Sequence, residues 1–417
     1  MGPHRLRLPS YRGNGRSDRR GLGLPLGCTS LRPMSMKKYP SVPDLAAAAR
    51  RRLPRFAFDY LDGGAGDEKG LMRNRAAFDA VQFVPGYLEP RGEPDLRTEM
   101  FARPYAMPLG VAPVGLSGLI WPRAAEYLAA AAKKAGIPFC LSAMATSSIE
   151  KIGAIARDHG WFQLYPLADH GTEKELLDRA KEAGFSALLV TVDTPTTRRN
   201  LREIKNGMTV PPKLSLANMS RIALNPTWAL ATLAAGPPRF ETLTPYFPPG
   251  ANYTTVAEMI SGLLARSIGW PEIEALRKHW SGPMIVKGLL SASDAEHCLA
   301  IGVDALLLSN HGGRQSESLV HPLDMIDEIG ERTRGELKLF LDSGARSGLD
   351  VARAMARGAD FVFLGRAFMY GVAALGEAGA AHAVELLRLE LEQILGQIGC
   401  PDIASLPRFV AKEAGPE

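Results

Sequence analysis

Cysteine is scarce in this 417-residue chain: four occur, at positions 28, 140, 298 and 400, and no two stand in a C-x-x-C spacing. That argues against both a structural zinc cage and a disulfide framework and fits a reducing compartment. No strand-like run is followed by G-x-G-x-x-G, which weakens a dinucleotide-binding reading. The apolar stretch Trp228 to Ala235 is far shorter than the roughly 20 residues a bilayer span requires. It can lie on a membrane or serve as an internal lid helix; it cannot cross. Acidic residues are nearly missing from the first 35 positions, where seven arginines face one acid, Asp18, for a charge of +6. The whole chain carries +5, so the remainder carries −1. A nearly neutral body has no electrostatic footprint for a nucleic-acid backbone. The basicity belongs to residues 1–36, which lack the apolar core of a secretory signal. They read as a basic disordered tail, either an Arg-rich transit leader or a mis-assigned start with initiation at Met36.

What is present suits a large globular body of residues 37–417, with 46% hydrophobic and 22% charged content over the chain. Eight short apolar runs have the character of buried parallel strands: Met107–Ala112, Pro138–Ser142, Trp161–Leu164, Ala187–Val192, Met284–Val286, Ala305–Leu308, Leu337–Leu341 and Phe361–Leu364. Stretches with helical spacing separate most of them, among them Ala124–Ala135, Lys174–Ala183, Ser293–Ile301 and Asp350–Gly358. Eight strands alternating with helices predict a (β/α)8 TIM barrel, with a doubly wound sheet as the alternative. In a barrel the active site gathers at the C-terminal strand ends, and those ends here are polar: Ser142, Gln163, Tyr165, Thr191, Asp193, Lys287, Ser309, His311, Asp342. The last two ends add glycines and arginines, Gly344, Arg346, Gly365 and Arg366, in the loops that often bind phosphate.

The sixth strand runs into S-N-H-G-G-R-Q, Ser309 to Gln315, which places an imidazole and a guanidinium on one turn. The glycines let the backbone approach a small ligand. Read alone, the string is equally an ordinary polar turn. Two segments stand outside the repeat. Residues 37 to about 105 look partly helical and close on D-Y-L-D-G-G-A (Asp59 to Ala65), and either cap the barrel bottom or lend a residue to the site. Residues 207–268, between strands four and five, are too long for a β-α connection and read as a lid or docking insertion.

These strings together resemble the FMN-dependent L-2-hydroxy acid dehydrogenase and oxidase family, over roughly Lys37 to Leu406. The resemblance rests on F-D-Y-L-D-G-G-A-G-D-E (Phe58 to Glu68), A-P-V-G-L (Ala112 to Leu116), F-Q-L-Y (Phe162 to Tyr165) and T-V-D-T-P (Thr191 to Pro195). It continues through V-K-G (Val286 to Gly288), S-N-H-G-G-R-Q, L-D-S-G-A-R-S-G (Leu341 to Gly348) and L-G-R (Leu364 to Arg366). A-P-V-G-L-S-G-L-I-W-P-R and N-P-T-W-A-L are most similar to the bacterial lactate and mandelate dehydrogenase branch.

The resemblance implies FMN as cofactor and oxidation of a 2-hydroxy acid to the 2-oxo acid. That chemistry needs a base, a carboxylate clamp, an electron sink and a charge to stabilise the reduced sink. By resemblance His311 is the base, held by Asp193, which alternatively only caps the next segment. Arg314 clamps the substrate carboxylate, and Tyr60 and Tyr165 hydrogen-bond the substrate or simply pack. Lys287 faces the flavin N1 and O2 edge, with a structural salt bridge as the alternative. Ser142, Gln163, Thr191 and Ser309 bond the ring system, Val114 and Gly115 offer backbone contacts, and Asp342, Gly344, Arg346, Gly365 and Arg366 hold ribityl and phosphate. Gly115 and the branch favour electron transfer to a quinone or another carrier over an oxidase that makes hydrogen peroxide. The same resemblance implies a homo-oligomer in the cytoplasm, peripheral at most to the inner membrane through 207–268.

One departure bears on the substrate. The family carries a second carboxylate-binding arginine five residues after the proline of T-V-D-T-P, and this chain has Asn200 there. Asparagine cannot act as a charged bidentate clamp. The expectation is that Arg199 or Arg202 swings in, that Arg314 acts alone, or that the substrate is not a standard hydroxy acid. Met144 stands where several members carry an aromatic residue, which leaves room for a larger substrate side chain.

Overall fold

The computed structural model describes residues 33–88, 92–196, 198–207, 215–248, 250–251, 253–263 and 268–411. Most of the basic tail, with Cys28, and parts of the insertion lie outside the described residues. A short antiparallel hairpin, β1 (Thr98–Met100) and β2 (Arg103–Tyr105), precedes eight parallel strands. These are β3 (Leu109–Val111), β4 (Phe139–Ser142), β5 (Gly160–Leu164), β6 (Ala187–Thr191), β7 (Met284–Lys287), β8 (Ala305–Leu308), β9 (Lys338–Leu341) and β10 (Phe361–Leu364). They close in sequence order, β10 pairing back onto β3, so the expected (β/α)8 barrel is the fold. The sheet sits inside a ring of helices, so its strands are buried nearly throughout and read in sequence as continuous apolar runs.

Local chemistry sets the helix ends. Ala124–Ala135 stops at Gly136, whose φ of +67° only glycine adopts cheaply. Ser347 and Asp350 form a reciprocal capping box at the start of Gly348–Ala356. Cys140, Cys298 and Cys400 are buried, and the Cys400 thiol donates to the Asp402 carbonyl at 3.0 Å.

The barrel interior is filled from below by aromatic rings. Trp161, Phe340, Phe361 and Phe363 pack with centroids 5.2 to 6.4 Å apart. The β1-β2 hairpin seals this floor: Phe101 at its tip lies 5.8 Å from both Trp161 and Phe340, and Tyr105 lies 5.6 Å from Phe361. Both turn residues, Phe101 and Ala102, have positive φ, 53° and 57°. The sequence carries no Asn-Gly or Asp-Gly signal there, so the hairpin was not expected from it. The segment before the barrel therefore does both things considered for it. Its hairpin caps the bottom, while its helix Arg55–Asp62 reaches the C-terminal mouth, where Tyr60 lines the cavity.

The insertion contributes the helices Leu216–Ala223, Pro226–Ala235 and Tyr253–Leu263. Trp228 anchors the second: it is buried, its indole N–H donates to the carbonyls of Leu119 and Ile120 at 3.1 and 3.2 Å, and it meets Phe56 edge-on. That helix is apolar all round, so the residues turned away from the anchor, Leu230 and Leu233, stay exposed. Among the described residues no helix is long and apolar enough to cross a membrane.

Because Phe340 is fully buried among four rings, Phe340→Ala is expected to lower the unfolding free energy by about 3–5 kcal/mol, read as a shifted urea midpoint; an unchanged midpoint would mean the floor does not bear on stability.

Candidate active site

The C-terminal strand ends surround a cavity of about 740 Å³. At its centre a buried charge cluster is built by strand register. Thr191 and Lys287 are cross-strand partners on β6 and β7, which sets Asp193, two residues past β6, beside the lysine. Lys287 Nζ donates to Ser309 Oγ at 2.7 Å and lies 3.4 Å from Asp193 Oδ2 and 3.5 Å from Asp342 Oδ2. Burial works against this ammonium, but the two aspartates outweigh it and hold its pKa above the ordinary lysine value. Burial likewise pushes the Asp193 carboxyl up, and His311 and Lys287 overcome it, leaving the group at about 2. His311 Nδ1 lies 2.8 Å from Asp193 Oδ1. Burial lowers the His311 pKa, and with Lys287 nearby the attraction of Asp193 does not restore it. The imidazole is therefore neutral at neutral pH, with Nδ1 committed to Asp193 and Nε2 left to accept a proton.

The loop that carries His311 is held in an uncommon shape. His311, Gly312 and Gly313 all have positive φ, 57°, 65° and 70°, a strain that for histidine only surrounding contacts sustain. Ser309 Oγ accepts the His311 N–H at 2.9 Å, and Ser343 Oγ, at the end of β9, accepts those of Asn310 and Gly312 at 3.0 Å. Asn310 exchanges two side-chain hydrogen bonds with buried Asn74, 2.6 and 2.9 Å, tying the loop to the helix Lys69–Asp79. Asn74 did not stand out in the sequence, and Ser343 stood out only as one polar residue of the strand end Asp342-Ser343-Gly344.

Two predicted arginines converge on the end of the helix Arg55–Asp62. Arg314 donates to the Tyr60 carbonyl at 2.7 Å, and Arg366 donates to the carbonyls of Leu61, Gly63 and Gly312 at 2.8 to 3.0 Å. Cations at a helix C-terminus satisfy carbonyls the helix leaves unpaired. Burial, together with Arg198, presses Arg314 down to about 10, and burial with Arg346 and Arg314 takes Arg366 to about 9, so both remain cationic at neutral pH.

Of the other residues singled out in the sequence, Tyr60, Val114, Gly115, Gln163, Tyr165 and Thr191 line the cavity. So do Asp342, Gly344, Arg346 and Gly365. The Tyr60 hydroxyl donates to the Gly115 carbonyl at 3.1 Å, and burial raises Tyr165 to about 12, so it keeps its proton. Gln163 donates to Thr191 at 3.0 Å while its Oε1 is buried without a partner. Ser142, Asp193 and Ser309 stand behind the wall: Ser142 Oγ accepts the Met144 N–H at 3.1 Å, and Ser309 supports Lys287.

The structure corrects the expectation for the missing clamp. Neither Arg199 nor Arg202 reaches the wall, and Arg202 is bound to Asp62 at 2.7 Å and to Glu68. Asn200 is buried as a helix cap, accepting the N–H groups of Arg202 and Glu203 at 3.0 and 3.2 Å. The arginine that lines the cavity is Arg198, two residues earlier, which the sequence reading passed over. Its register against the wall depends on this cap, so spacing alone could not select it.

Gly288 leaves the space that Asp193 occupies: a β-carbon there would lie 2.4 Å from Asp193 Cβ, and its φ is +106°. Gly288→Ala is expected to destabilise the fold by about 2 kcal/mol or more, measured by urea unfolding; wild-type stability would refute this packing.

Comparison with known proteins follows the same geometry. Residues 49–412 match the family profile described as FMN-dependent dehydrogenase. An L-lactate dehydrogenase of Ectopseudomonas mendocina (strain ymp) is 38% identical over 367 residues, which cover 87% of this chain and 96% of that protein. One from Stenotrophomonas maltophilia (strain R551-3) is 38% identical over 369 residues, covering 88% and 96%. Among solved structures, the monotopic membrane protein (S)-mandelate dehydrogenase superposes with a TM-score of 0.85 at 35% identity, over 89% of this chain and 99% of that one. A mandelate oxidase superposes with a TM-score of 0.74 at 33% identity, over 89% and 97%. With the profile spanning both barrel and insertion, this chain belongs to the FMN-dependent 2-hydroxy acid dehydrogenase family, and its cofactor is FMN.

Proposed function

We propose that this enzyme oxidises an L-2-hydroxy acid of lactate or mandelate type to the 2-oxo acid and passes the electrons to a quinone or a similar carrier. The observation that carries the reading is that His311, its Nδ1 held 2.8 Å from Asp193, stands on the wall of a cavity that also presents Arg314. The residues present fit FMN. The orphaned Gln163 Oε1 would accept from a ring N–H, and Lys287 would favour an anionic ring edge. Arg346 and Arg366, beside Gly344 and Gly365, would hold a phosphate. Val114, Gly115, Ser142, Thr191, Ser309 and Asp342 complete the proposed cradle, several of them through the residues they support.

Bound FMN supplies a two-electron acceptor. The chain's own residues do the rest. Arg314 binds the substrate carboxylate with a charge-assisted pair, and the hydroxyls of Tyr165 and of Tyr60, the latter by leaving the Gly115 carbonyl, would donate to the substrate. Oxidation to the 2-oxo acid removes two electrons and two protons, and His311 Nε2 takes one of those protons. Asp193, ionised at neutral pH, stabilises the imidazolium that results. Phe240 and Ile260 of the insertion line the same cavity and help exclude water.

Peripheral membrane contact is part of the proposal. Leu216, Met219, Leu230 and Leu233, on two adjacent helices of the insertion, are 86, 55, 66 and 80% exposed, and Leu224, which caps the first helix, is 79% exposed. Exposed apolar side chains gathered on neighbouring helices mark a membrane or protein contact. The similar mandelate dehydrogenase is itself described as a monotopic membrane protein.

His311→Gln is expected to slow flavin reduction by about 10²–10⁴-fold while FMN stays bound; fast bleaching by a 2-hydroxy acid would remove His311 as base. Because the base must be unprotonated and burial holds its pKa below the ordinary histidine value, kcat/KM should keep its plateau through neutral pH and decline only in acid, with a midpoint below that of a free imidazole; a midpoint above that of a free imidazole contradicts the assignment. The Leu230→Asp, Leu233→Asp double variant should weaken binding to phospholipid vesicles by at least about 10-fold, and reduced enzyme should be reoxidised faster by a short-chain quinone than by O2. Unchanged vesicle binding or faster O2 reaction counts against this part.

A further inference from the structure

The structure assigns Arg198 as a second cation that grips the substrate carboxylate together with Arg314, and so as the residue that selects a monoanionic substrate. This rests on the proposed hydroxy acid reaction and specifies how its substrate is held. Arg198 and Arg314 both lie over the Tyr60 ring, 5.8 and 5.1 Å from its centroid, and both line the cavity. They share one counter-ion. Glu203 Oε1 receives Arg198 at 3.1 Å, Arg314 at 3.4 Å and the Asn200 amide at 3.0 Å. Two guanidiniums against one carboxylate leave a surplus of one positive charge on a largely buried wall, where charge is costly until an anion compensates it. The repulsion registers in Arg314, whose pKa is lowered by burial and then by Arg198.

Of the neighbouring cations, Arg202 pairs with Asp62 and Glu68 and Lys287 with Asp193 and Asp342, while Arg346 and Arg366 are the two assigned above to the cofactor phosphate, so the surplus left for a substrate lies with Arg198 and Arg314. One surplus charge matches one carboxylate. The remaining wall is apolar where a substrate side chain has room, with Met144, Phe240 and Ile260, so a second carboxylate would be desolvated there without a partner. The pocket is therefore built for a 2-hydroxy monocarboxylate with an apolar side chain. Glu203 acts as a positioning residue, and Asn200 acts behind it by fixing both the helix start and the glutamate. The asparagine has not lost a clamp; it orients one that enters from two residues upstream.

The test uses the FMN-loaded full chain and equilibrium affinity, read as the change in flavin absorbance when pyruvate or phenylglyoxylate binds, with their neutral methyl esters as controls. Arg198→Ala is expected to weaken acid binding about 10- to 100-fold and ester binding less than about 2-fold, with affinity for the acid partly restored by added guanidinium ion. Arg198→Lys, which keeps the charge, should lose less than Arg198→Ala. If acid and ester weaken equally, or neither weakens, the assignment of Arg198 is overturned even when the wild type oxidises hydroxy acids normally. If the wild type oxidises no 2-hydroxy acid yet shows this acid-specific dependence on Arg198, the reaction assignment fails and the clamp stands.

Discussion

A lysine buried at the end of a barrel strand imposes the condition that the rest of the site satisfies. Lys287 has almost no contact with water, so its ammonium is tolerable only because Asp193, Asp342 and Ser309 surround it. Each of those partners is then committed. Asp193 stays ionised, which lets it bind His311 Nδ1 and fix the tautomer. Ser309, occupied by Lys287, also receives the His311 N–H, and this holds the histidine in its left-handed conformation. One buried cation thus couples three strand ends and leaves a neutral imidazole facing the cavity.

A second set of charges ties the segment before the barrel to the same mouth. The helix Arg55–Asp62 ends with its carbonyls toward Arg314 and Arg366, and its acidic residues Asp59 and Asp62 take up Arg202. Tyr60 comes into the cavity on this helix, so the aromatic face beneath both guanidiniums is supplied by chain outside the eightfold repeat. At the opposite end the hairpin closes the barrel with Phe101 and Tyr105. The segment serves both ends because it runs along the whole barrel before the first strand begins.

Much of this was legible in the sequence. Buried parallel strands must be apolar on both faces, so all eight were visible as short runs, and their order fixed a barrel whose site lies at the C-terminal ends. His311, Asp193, Lys287 and Arg314 were visible as polar groups at or just past such ends, and the family resemblance supplied their roles and pairing. The β1-β2 hairpin was not legible, since its turn uses Phe101 and Ala102 in a conformation that sequence signals with glycine or asparagine. The role of Asn74 was not legible either, because a hydrogen bond between residues more than 200 positions apart leaves no local pattern, and the bonds from Asn310 and Gly312 to Ser343, 33 and 31 positions away, leave none.

The sequence by itself determined the architecture and put the residues around His311 at strand ends, because strand periodicity and strand-end polarity are local properties that survive without coordinates; how those residues pair was implied by the family resemblance. Only the tertiary structure decided which arginine enters the pocket. Position 200 looked like a vacancy in the chain's spacing, and Arg199 and Arg202 looked like the candidates to fill it. The choice of Arg198 depends on how Asn200 caps the next helix, on where Asp62 and Glu68 draw Arg202, and on Glu203 standing between two guanidiniums. Those are balances of charge and direction among residues that meet only after folding.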